Sequence, residues 1–393
     1  MFARLLIVHI FLAVAAPAFA NPIDAGNRTE RFELDSSILG ETREFLVRMP
    51  ESYAREVQNE YPVLYVSDAD WNFPLMAEWV EYLSHHGSIP ELIVVGAVNV
   101  SRNRDFVPRE DPNFAESGQG DRYLRHVAAE WIPEVESRYR VGEGRVFFGH
   151  SFGGVLVLNQ LFTDPDLFDA YVALGSSTWV ADRVLFERAN AFFDAGRTMD
   201  AFLYMSVGET DGGATVPDGS LFAELLEARA PDSLDWSYRI TQSTDHFTNV
   251  TASLHEIFMS LFPAWGFDRE LAEAARTYGA AAAGELFDRR QSELGWRFAP
   301  YWFDVGVTAI DLARDGHGEA ASVILEKMVE YDPDNTETRA FIAFAFAASG
   351  QTEPAIEAIN EAIAHGIDSG HDLTRIDAFR NYRERLVGRL ESE

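Results

Sequence analysis

Cysteine is absent from this chain of 393 residues. Without thiols the protein can form no disulfide and offers no cysteine for lipid attachment, so its stability has to come from the burial of apolar side chains. The composition supplies material for that burial, since 47% of the residues are hydrophobic and 13% are aromatic. A disordered chain is excluded, and the length predicts about two domains.

Basic residues are scarce. Against 63 aspartates and glutamates there are 32 lysines and arginines, which gives a formal charge of −31 at pH 7. A charge of this sign repels phosphate backbones and anionic lipid surfaces, so no nucleic-acid partner is expected. A well-solvated surface accounts for the acidity, which therefore predicts nothing about a substrate.

Long apolar runs are also missing, except at the start of the chain. Residues 1–20, MFARLLIVHIFLAVAAPAFA, combine one early arginine with an apolar run from Leu5 to Ala16 and the small residues Ala18 and Ala20. This pattern is typical of a secretory signal peptide cleaved after Ala20. The run is shorter than the roughly 20 residues of a membrane-spanning helix, and an uncleaved anchor is the alternative. We expect a periplasmic or secreted protein with no membrane span after cleavage.

Seven short runs in the first two thirds of the chain are typical of β-strands. They are REFLVRM from Arg43, PVLYVSD from Pro62, ELIVVGAVNV from Glu91, RVFFGH from Arg145, AYVALG from Ala170, FLYMSVG from Phe202 and WSYRIT from Trp236. Several are continuously apolar, as in strands buried on both faces. Segments with helical spacing separate them, for example residues 121–139. This alternation predicts an α/β fold with a mostly parallel sheet, in which the two earliest strands pair antiparallel at one edge.

After about Pro263 the chain becomes rich in alanine and glutamate and keeps helical periodicity. Within this region EAASVILEKMVEYDPDN, from Glu319, aligns with EPAIEAINEAIAHGIDS, from Glu353, at an offset of 34 residues (353 − 319), which is the tetratricopeptide period. Fewer than three such repeats rarely stand alone, so we expect this all-α region to pack on the α/β domain. Packing or self-association and the binding of a protein partner are the two roles left open.

The predicted organisation therefore has four parts. A signal peptide covers residues 1–20, the α/β domain covers 21–265, connecting helices cover 266–300, and a tetratricopeptide-like helical region covers 301–393.

A serine between glycines follows the apolar strand RVFF. Gly149-His150-Ser151-Phe152-Gly153 is a G-x-S-x-G motif, and the helical run GVLVLNQLF comes directly after it. A serine on a tight strand-to-helix turn has a strained backbone and a projecting hydroxyl, and the glycines allow the close backbone approach of the turn. The first amides of the following helix favour developing negative charge. We predict that Ser151 is a catalytic nucleophile; helix capping alone is the alternative.

A serine hydroxyl needs a general base, which in this architecture follows an acid late in the chain. His246 and His255 lie between the last predicted strand and the helical region. The loop STDHFTN places His246 directly after WSYRIT, whereas His255 falls in a helical run. His246 is therefore the predicted base.

The acid is expected in the loop after FLYMSVG, which continues as ETDGG. Asp211 is the predicted acid, and Glu209 and Asp218 are the alternatives. Such a carboxylate accepts the second N–H of the imidazole, fixes its tautomer and stabilises the imidazolium that forms when Ser151 attacks.

An oxyanion hole requires two backbone N–H groups. One is expected from Phe152, the residue after the nucleophile, and the other from the loop after PVLYVSD. Asp70 is the predicted second donor, with Ala69 and Trp71 as alternatives.

The sequence blocks around these residues resemble those of one family, the esterases of the α/β-hydrolase fold that include enterobactin and ferric-siderophore esterases, S-formylglutathione hydrolase (esterase D), feruloyl esterases and mycolyltransferases. The resemblance covers residues 29–262 and rests on PVLYVSDADWNFP, VVGAVNVSRNRDFVP, GDRYLRHVAAEWIPEVESRYR, RVFFGHSFGG, DPDLFDAYVALGSSTW, VGETD and TDHF. It implies an α/β-hydrolase fold with Ser151 as nucleophile, His246 as base and Asp211 as acid. One departure is Ala69, which stands where a glycine usually follows the aspartate of the first block.

Siderophore esterases of this family commonly have an Arg-x-Arg-Asp block, which is matched here by Arg102, Arg104 and Asp105. The resemblance implies that Arg104 hydrogen-bonds an acyl or catecholate oxygen; the alternative is that these residues pair with one another and order the loop. Trp71 and Trp179 offer rings for stacking on an aromatic acyl group, with core packing as the alternative.

These features together predict a serine hydrolase, similar to siderophore esterases, that cleaves a small-molecule carboxylic ester through an acyl-enzyme on Ser151. This mechanism implies neither a metal nor an organic cofactor. The histidines also show no metal-ligand spacing. Two alternatives stay open. One is an acyltransferase that uses the same serine, and the other is an inactive hydrolase fold that acts as a binding or scaffold protein through its helical repeats.

Overall fold

The computed structural model describes residues 29–54, 59–263, 265–293, 301–370 and 373–391. The predicted signal peptide lies outside the described residues. None of the helices in these ranges is long and apolar enough to cross a bilayer.

The described residues form one eight-stranded sheet. Its strands are β1 (Thr29–Ser36), β2 (Glu41–Arg48), β3 (Tyr61–Val66), β4 (Ile93–Ala97), β5 (Val141–His150), β6 (Ala170–Leu174), β7 (Ala201–Gly208) and β8 (Leu234–Thr241). They lie in the order β1-β2-β4-β3-β5-β6-β7-β8. Within the sheet, every pair of adjacent strands in the stretch β4-β3-β5-β6-β7-β8 is parallel. The strand β2 pairs antiparallel with both β1 and β4. The sequence prediction of a mostly parallel α/β sheet is confirmed.

The predicted pairing of the two earliest apolar runs is wrong, because β4 lies between β2 and β3. The antiparallel partner of β2 at the edge is β1, which the sequence analysis did not identify. Its sequence, TERFELDS, alternates charged residues with Phe32 and Leu34. An edge strand with one solvated face carries only this short alternation, which is a weaker signal than a continuous apolar run.

The strands contribute alternate side chains to two hydrophobic clusters, one on each face of the sheet. In β3, Val63 and Tyr65 join one cluster, whereas Leu64 and Val66 join the other. Successive strand residues point to opposite faces, so the continuously apolar runs are those of strands covered on both sides.

Eight helices of the described chain accompany the sheet. They are α1 (Ala69–His85), α2 (Arg102–Phe106), α3 (Gly120–His126), α4 (Ile132–Arg138), α5 (Phe152–Thr163), α6 (Val180–Asp194), α7 (Thr215–Arg229) and α8 (Thr248–Leu261). A π-helical turn, Val127–Trp131, joins α3 to α4. The helix predicted over residues 121–139 is therefore one continuous element with a π-bulge inside it.

The rest of the described chain is helical, as the alanine-rich composition predicts. Its helices are α9 (Asp268–Tyr278), α10 (Ala280–Glu293), α11 (Trp302–Arg314), α12 (Gly318–Tyr331), α13 (Thr336–Ala348), α14 (Thr352–Asp368) and α15 (Leu373–Leu390). The starts of α11 and α13 lie 34 residues apart (336 − 302), as do those of α12 and α14 (352 − 318). Residues of α9 and α10 share a hydrophobic cluster with α11, α12 and α13.

One place where the helical region meets the α/β domain is the loop after α1. The indole Nε1 of Trp265 donates to the carbonyl of Gly87 at 2.9 Å, and Trp265 joins the hydrophobic cluster that contains α1 and α8. Gly87 has a φ of 70°, and a Cβ at this position would lie 2.1 Å from the ring of Tyr301. Only glycine fits this contact, so the junction is closely packed.

The substitution Trp265→Phe should lower the free energy of unfolding by about 1–3 kcal/mol, because it leaves the carbonyl of Gly87 without its buried donor. Urea unfolding followed by circular dichroism measures the loss. Trp79→Phe is the matched control, since the buried Nε1 of Trp79 has no hydrogen-bond partner among the described residues. Equal losses in the two variants would contradict the contribution of this hydrogen bond.

Candidate active site

Ser151 occupies the turn between β5 and α5. Its backbone has a φ of 60° and a ψ of −116°, a conformation that costs a non-glycine residue about 1–3 kcal/mol. The Ser151 N–H donates to the carbonyl of Leu174 in β6 at 2.8 Å, and the Ser151 carbonyl accepts from Val155 N–H at 3.1 Å. The turn therefore holds the serine at the carboxyl end of the sheet.

The glycines of the motif allow two close approaches. A Cβ on Gly149 would lie 2.1 Å from the carbonyl oxygen of Gly153, and one on Gly154 would lie 2.2 Å from the Ser176 hydroxyl. No side chain fits at either distance. The sequence G-x-S-x-G-G thus follows from the packing of the turn on itself and on the segment after β6.

His246 and Asp211 come together at the same edge of the sheet. Asp211 lies in the turn after β7, where its N–H donates to Gly208 at 3.0 Å, and His246 lies in the loop after β8. The Nδ1 of His246 and the Oδ2 of Asp211 are 2.8 Å apart. The Asp211 side chain is 4% exposed and that of His246 is 27% exposed. A buried carboxylate thus contacts one ring nitrogen of a histidine that stays open to solvent.

The alternative acids and base have other surroundings. The Glu209 carboxylate accepts from Ser243 N–H at 2.8 Å in the loop after β8. Asp218 is buried in α7 and accepts two hydrogen bonds from Arg183, at 3.0 and 2.6 Å. His255 is exposed on α8.

His150, the residue before Ser151, lies beside His246. The rings of His150 and His246 lie with their centroids 4.5 Å apart. A Cβ on Gly175, directly after β6, would lie 3.3 Å from the Nδ1 of His246. Within the described ranges no hydrogen bond joins the Ser151 hydroxyl to the imidazole; such bonds are often long in free enzymes and shorten when substrate binds.

The residues directly before α1 lie against the first turn of α5, close to Ser151. A Cβ on Gly153 would lie 2.5 Å from the Ser67 hydroxyl and 3.1 Å from a carboxylate oxygen of Asp68. The N–H of Trp71 donates to the Asp68 carbonyl at 3.0 Å and is thereby occupied. The N–H groups of Ala69 and Asp70 belong to the first turn of α1, as that of Phe152 does in α5, and such groups have no intrahelical acceptor.

The predicted oxyanion loop has Ala69 where the resemblance leads one to expect glycine, and the structure accommodates that methyl group. Ala69 is buried, and a Cβ on Gly96 of β4 would lie 2.8 Å from the Ala69 Cβ. The left-handed conformation of this loop falls one residue earlier, at Asp68, which has a φ of 55°. An aspartate tolerates this conformation better than most residues do.

Sequence analysis missed the role of Asp68 and Arg102 in joining the loops of the site. The buried Asp68 accepts from Arg102 Nε at 2.7 Å and from Asn99 Nδ2 at 2.8 Å. Burial raises the pKa of the Asp68 carboxyl, against the opposing effect of Arg102 and Asn99. Arg102 also donates to the carbonyl of His150 at 3.0 Å. The sequence signals were the aspartate that follows β3 and the first arginine of the Arg-x-Arg-Asp block.

The other predicted binding residues have the following positions. Arg104 donates to Asp105 at 2.7 Å and to Glu41 at 3.1 Å, which raises the pKa of its guanidinium. Trp71 is 63% exposed, and the Arg102 guanidinium lies 5.6 Å from its ring centroid.

Trp179 is partly buried, and its Nε1 lies 3.4 Å from the Thr215 hydroxyl. The chain directly after it is strained, because Ala181, Asp182 and Arg183 have left-handed φ angles between 51° and 58°. The carboxylate of Asp111 stabilises this turn, because it accepts from Ala181 N–H at 2.8 Å. Within the described ranges no three histidines, aspartates or glutamates form a group that could hold a metal ion.

Gly149→Ala should lower the free energy of unfolding by about 1–3 kcal/mol or more, because the added methyl group meets the Gly153 carbonyl and the turn has to open. Gly388→Ala in α15 is the control: apart from its chain neighbours and the backbone of its own helix, no atom of the described chain lies within 4 Å of the added Cβ. This variant should be more stable than the parent by about 0.5–1 kcal/mol, because alanine loses less backbone entropy on folding than glycine does. Chemical unfolding of both variants checks the difference. A Gly149→Ala protein as stable as the parent would contradict the geometry of the turn.

The chain is similar to several known proteins. The ferri-bacillibactin esterase BesA of Bacillus subtilis is 34% identical over 134 residues, which are 29% of this chain and 46% of that protein. The chain thus matches less than half the length of this curated relative.

The crystal structure of an IroE-like serine hydrolase from Shewanella oneidensis superimposes with a TM-score of 0.64 at 25% identity, over 77% of this chain and 99% of that one. An uncharacterised protein from Capnocytophaga ochracea covers 92% of this chain and 99% of its own at 16% identity and a TM-score of 0.61, which shows the fold alone. The family model described as "Putative esterase" matches residues 36–256, more than half of the chain. The protein is therefore a member of this esterase family.

Proposed function

We propose that the protein is a serine hydrolase that cleaves a carboxylic ester through an acyl-enzyme on Ser151. The observation that carries the proposal is the 2.8 Å contact between His246 Nδ1 and Asp211, at the sheet edge where the strained turn presents Ser151. Membership of the esterase family supports it. Nucleophile, base and acid follow one another along the chain in the order that this architecture uses.

In the first half of the reaction the Ser151 hydroxyl oxygen attacks the ester carbonyl carbon and gives its proton to the Nε2 of His246. Asp211 accepts the Nδ1–H, which keeps Nε2 free to take the proton and stabilises the imidazolium. The carbonyl π-electrons move to the oxygen, and a tetrahedral oxyanion forms. When the oxyanion collapses, the C–O bond to the alcohol breaks, and His246 protonates the departing alkoxide.

The oxyanion is stabilised by the backbone N–H of Phe152 and by that of Asp70 or Ala69 in the first turn of α1. Trp71 is the least suitable of the three second donors, because its N–H already bonds the Asp68 carbonyl. Each donor of such a pair is worth about 3 kcal/mol of transition-state stabilisation.

In the second half a water molecule takes the place of the alcohol. His246 removes a proton from the water as it attacks the acyl-enzyme, and the acid leaves when the bond to Ser151 breaks, with the proton returned to the serine oxygen. An acyltransferase would differ only at this step, since another alcohol would then attack the acyl-enzyme.

A siderophore ester is the proposed substrate class. The supporting relatives are named a ferri-bacillibactin esterase and, in Emericella nidulans, a siderophore enterobactin esterase. Two exposed aromatic side chains lie beside predicted site residues. Trp71 is 63% exposed, with the guanidinium of Arg102 over its ring, and Phe247, which follows His246, is 67% exposed. Aromatic rings can stack on a flat acyl group, and a guanidinium can contact such a ring and the oxygen atoms that it bears.

An exported location and a role for the helical region complete the proposal. The apolar run of residues 1–20 supports secretion or export to the periplasm, where a siderophore ester would be met. The 34-residue spacing of the paired helices α11 to α14 supports a tetratricopeptide-like unit that binds a protein partner or a second copy.

Ser151→Ala should lower the hydrolysis of short-chain p-nitrophenyl esters and of a catecholate trilactone by about 10⁶-fold, because the nucleophile is lost. Release of p-nitrophenol measures the rate, and chromatography of products formed with a competing alcohol separates hydrolysis from acyl transfer. If the parent and the variant share the same trace rate, the enzymatic proposal fails and a binding role gains support.

Asp211→Asn should lower kcat by about 10⁴-fold, since an amide in this position favours the wrong tautomer of the histidine. Glu209→Gln is the matched control from the same loop, and its kcat should stay close to that of the parent. Steady-state kinetics on one ester compares them. A larger loss in the Glu209 variant would transfer the acid role to that residue.

A further inference from the structure

His150 occupies the x position before Ser151 in the G-x-S-x-G motif. The proposed reaction does not explain where its side chain lies. Its side chain is 4% exposed, although histidine is a polar residue in the middle of an active-site turn. The Nε2 of His150 lies 2.8 Å from the backbone carbonyl oxygen of His246. The residue next to Ser151 thus reaches the main chain of the predicted base.

The donor of this hydrogen bond is unambiguous. A carbonyl oxygen only accepts, so the proton must lie on the Nε2 of His150. Burial, together with the neighbouring His246 and Arg102, lowers the pKa of His150 to about 4. At neutral pH the ring is therefore uncharged and carries its one proton on Nε2.

The His246 carbonyl is not used by the helix that follows. In the first turn of α8, Asn249 N–H donates to Asp245 and Val250 N–H donates to Phe247. The Asp245 carboxylate also accepts from the N–H groups of Phe247 and Thr248, which closes the turn locally. These bonds hold the shape of the loop, whereas the bond from His150 ties it to the nucleophile turn.

We propose that His150 is a positioning residue: by donating to the His246 carbonyl it fixes the distance between the loop that carries the base and the turn that carries Ser151. The inference rests on the proposed serine hydrolase function. A direct link of this kind matters because Ser151 and His246 lie on separate loops after β5 and β8, and β6 and β7 stand between those strands.

The uncharged state of the His150 ring avoids charge repulsion within the site. During the reaction His246 becomes a cation, and its ring centroid lies 4.5 Å from that of His150. A second positive ring at this distance would oppose that charge in a poorly solvated site. Arg102 donates to the carbonyl of His150, and its positive charge further disfavours protonation of the His150 ring.

Three variants test the hydrogen bond by its geometry. His150→Phe keeps an aromatic ring but loses the donor, His150→Asn offers an amide that is too short, and His150→Gln places an amide N–H near the position of Nε2. We expect His150→Phe and His150→Asn to lower kcat by about 10²-fold, the cost of a small misplacement of catalytic groups, with KM within about twofold of the parent. His150→Gln should recover most of kcat. Because glutamine does not titrate, this rescue also distinguishes positioning from proton transfer by His150.

The kinetic result overturns the proposal if His150→Phe retains the parent kcat, if the loss appears in KM alone, or if His150→Gln is no better than His150→Phe. Ring ¹⁵N chemical shifts of the unsubstituted protein at pH 7, assigned by comparison with His150→Gln, give a test that does not depend on the folding of the His150→Phe and His150→Asn variants. A neutral ring with the proton on Nε2 is expected; a proton on Nδ1 or a charged ring would overturn the proposal.

The two proposals fail in different ways. If the parent protein hydrolyses no ester and resembles Ser151→Ala, the proposed function fails, while the ¹⁵N shifts still report on the contact between His150 and His246. If the parent is active but the tautomer or the pattern of rescue is wrong, only the positioning role fails.

Discussion

The backbone of Ser151 is held in a conformation that a free chain avoids, and the site depends on that constraint. The positive φ places the serine on the outside of the turn, and the bond from its N–H to Leu174 anchors the turn to the neighbouring strand. Gly149 and Gly154 permit the approach of the surrounding main chain. Strain of about 1–3 kcal/mol persists only where such surrounding contacts over-determine it.

Around this turn, loops from distant parts of the chain are joined by buried polar contacts. Arg102 donates hydrogen bonds to Asp68, which follows β3, and to the carbonyl of His150. His150 in turn donates to the carbonyl of His246. These contacts lead from the predicted oxyanion loop to the predicted base, by way of the nucleophile turn. Because each group in the series is at least partly buried, the loss of one would leave its neighbour without a partner in a poorly solvated place.

The C-terminal region packs against the carboxyl end of α1 and the loop after it. Trp265 adds to the cluster beneath α1 and α8, and the ring of Tyr301 packs on Gly87 at the end of α1. The far end of α1 carries the candidate oxyanion donors. The helical region therefore packs against α1 at the end opposite to its first turn.

Local pattern in the sequence was enough to predict seven of the eight strands, β2 to β8, together with the glycine-flanked serine and the two loops that hold His246 and Asp211. Strand periodicity and turn chemistry act over a few residues, and the carboxyl ends of neighbouring parallel strands always meet at one edge. The edge strand β1 and the place of β4 between β2 and β3 were decided by the tertiary structure alone. The contact of His246 with Asp211 also depends on it, since the sequence favoured Asp211 without excluding Glu209 or Asp218. The tertiary structure alone also decided the bonds of Asp68, Arg102 and His150, because each depends on a distance between residues far apart in the chain.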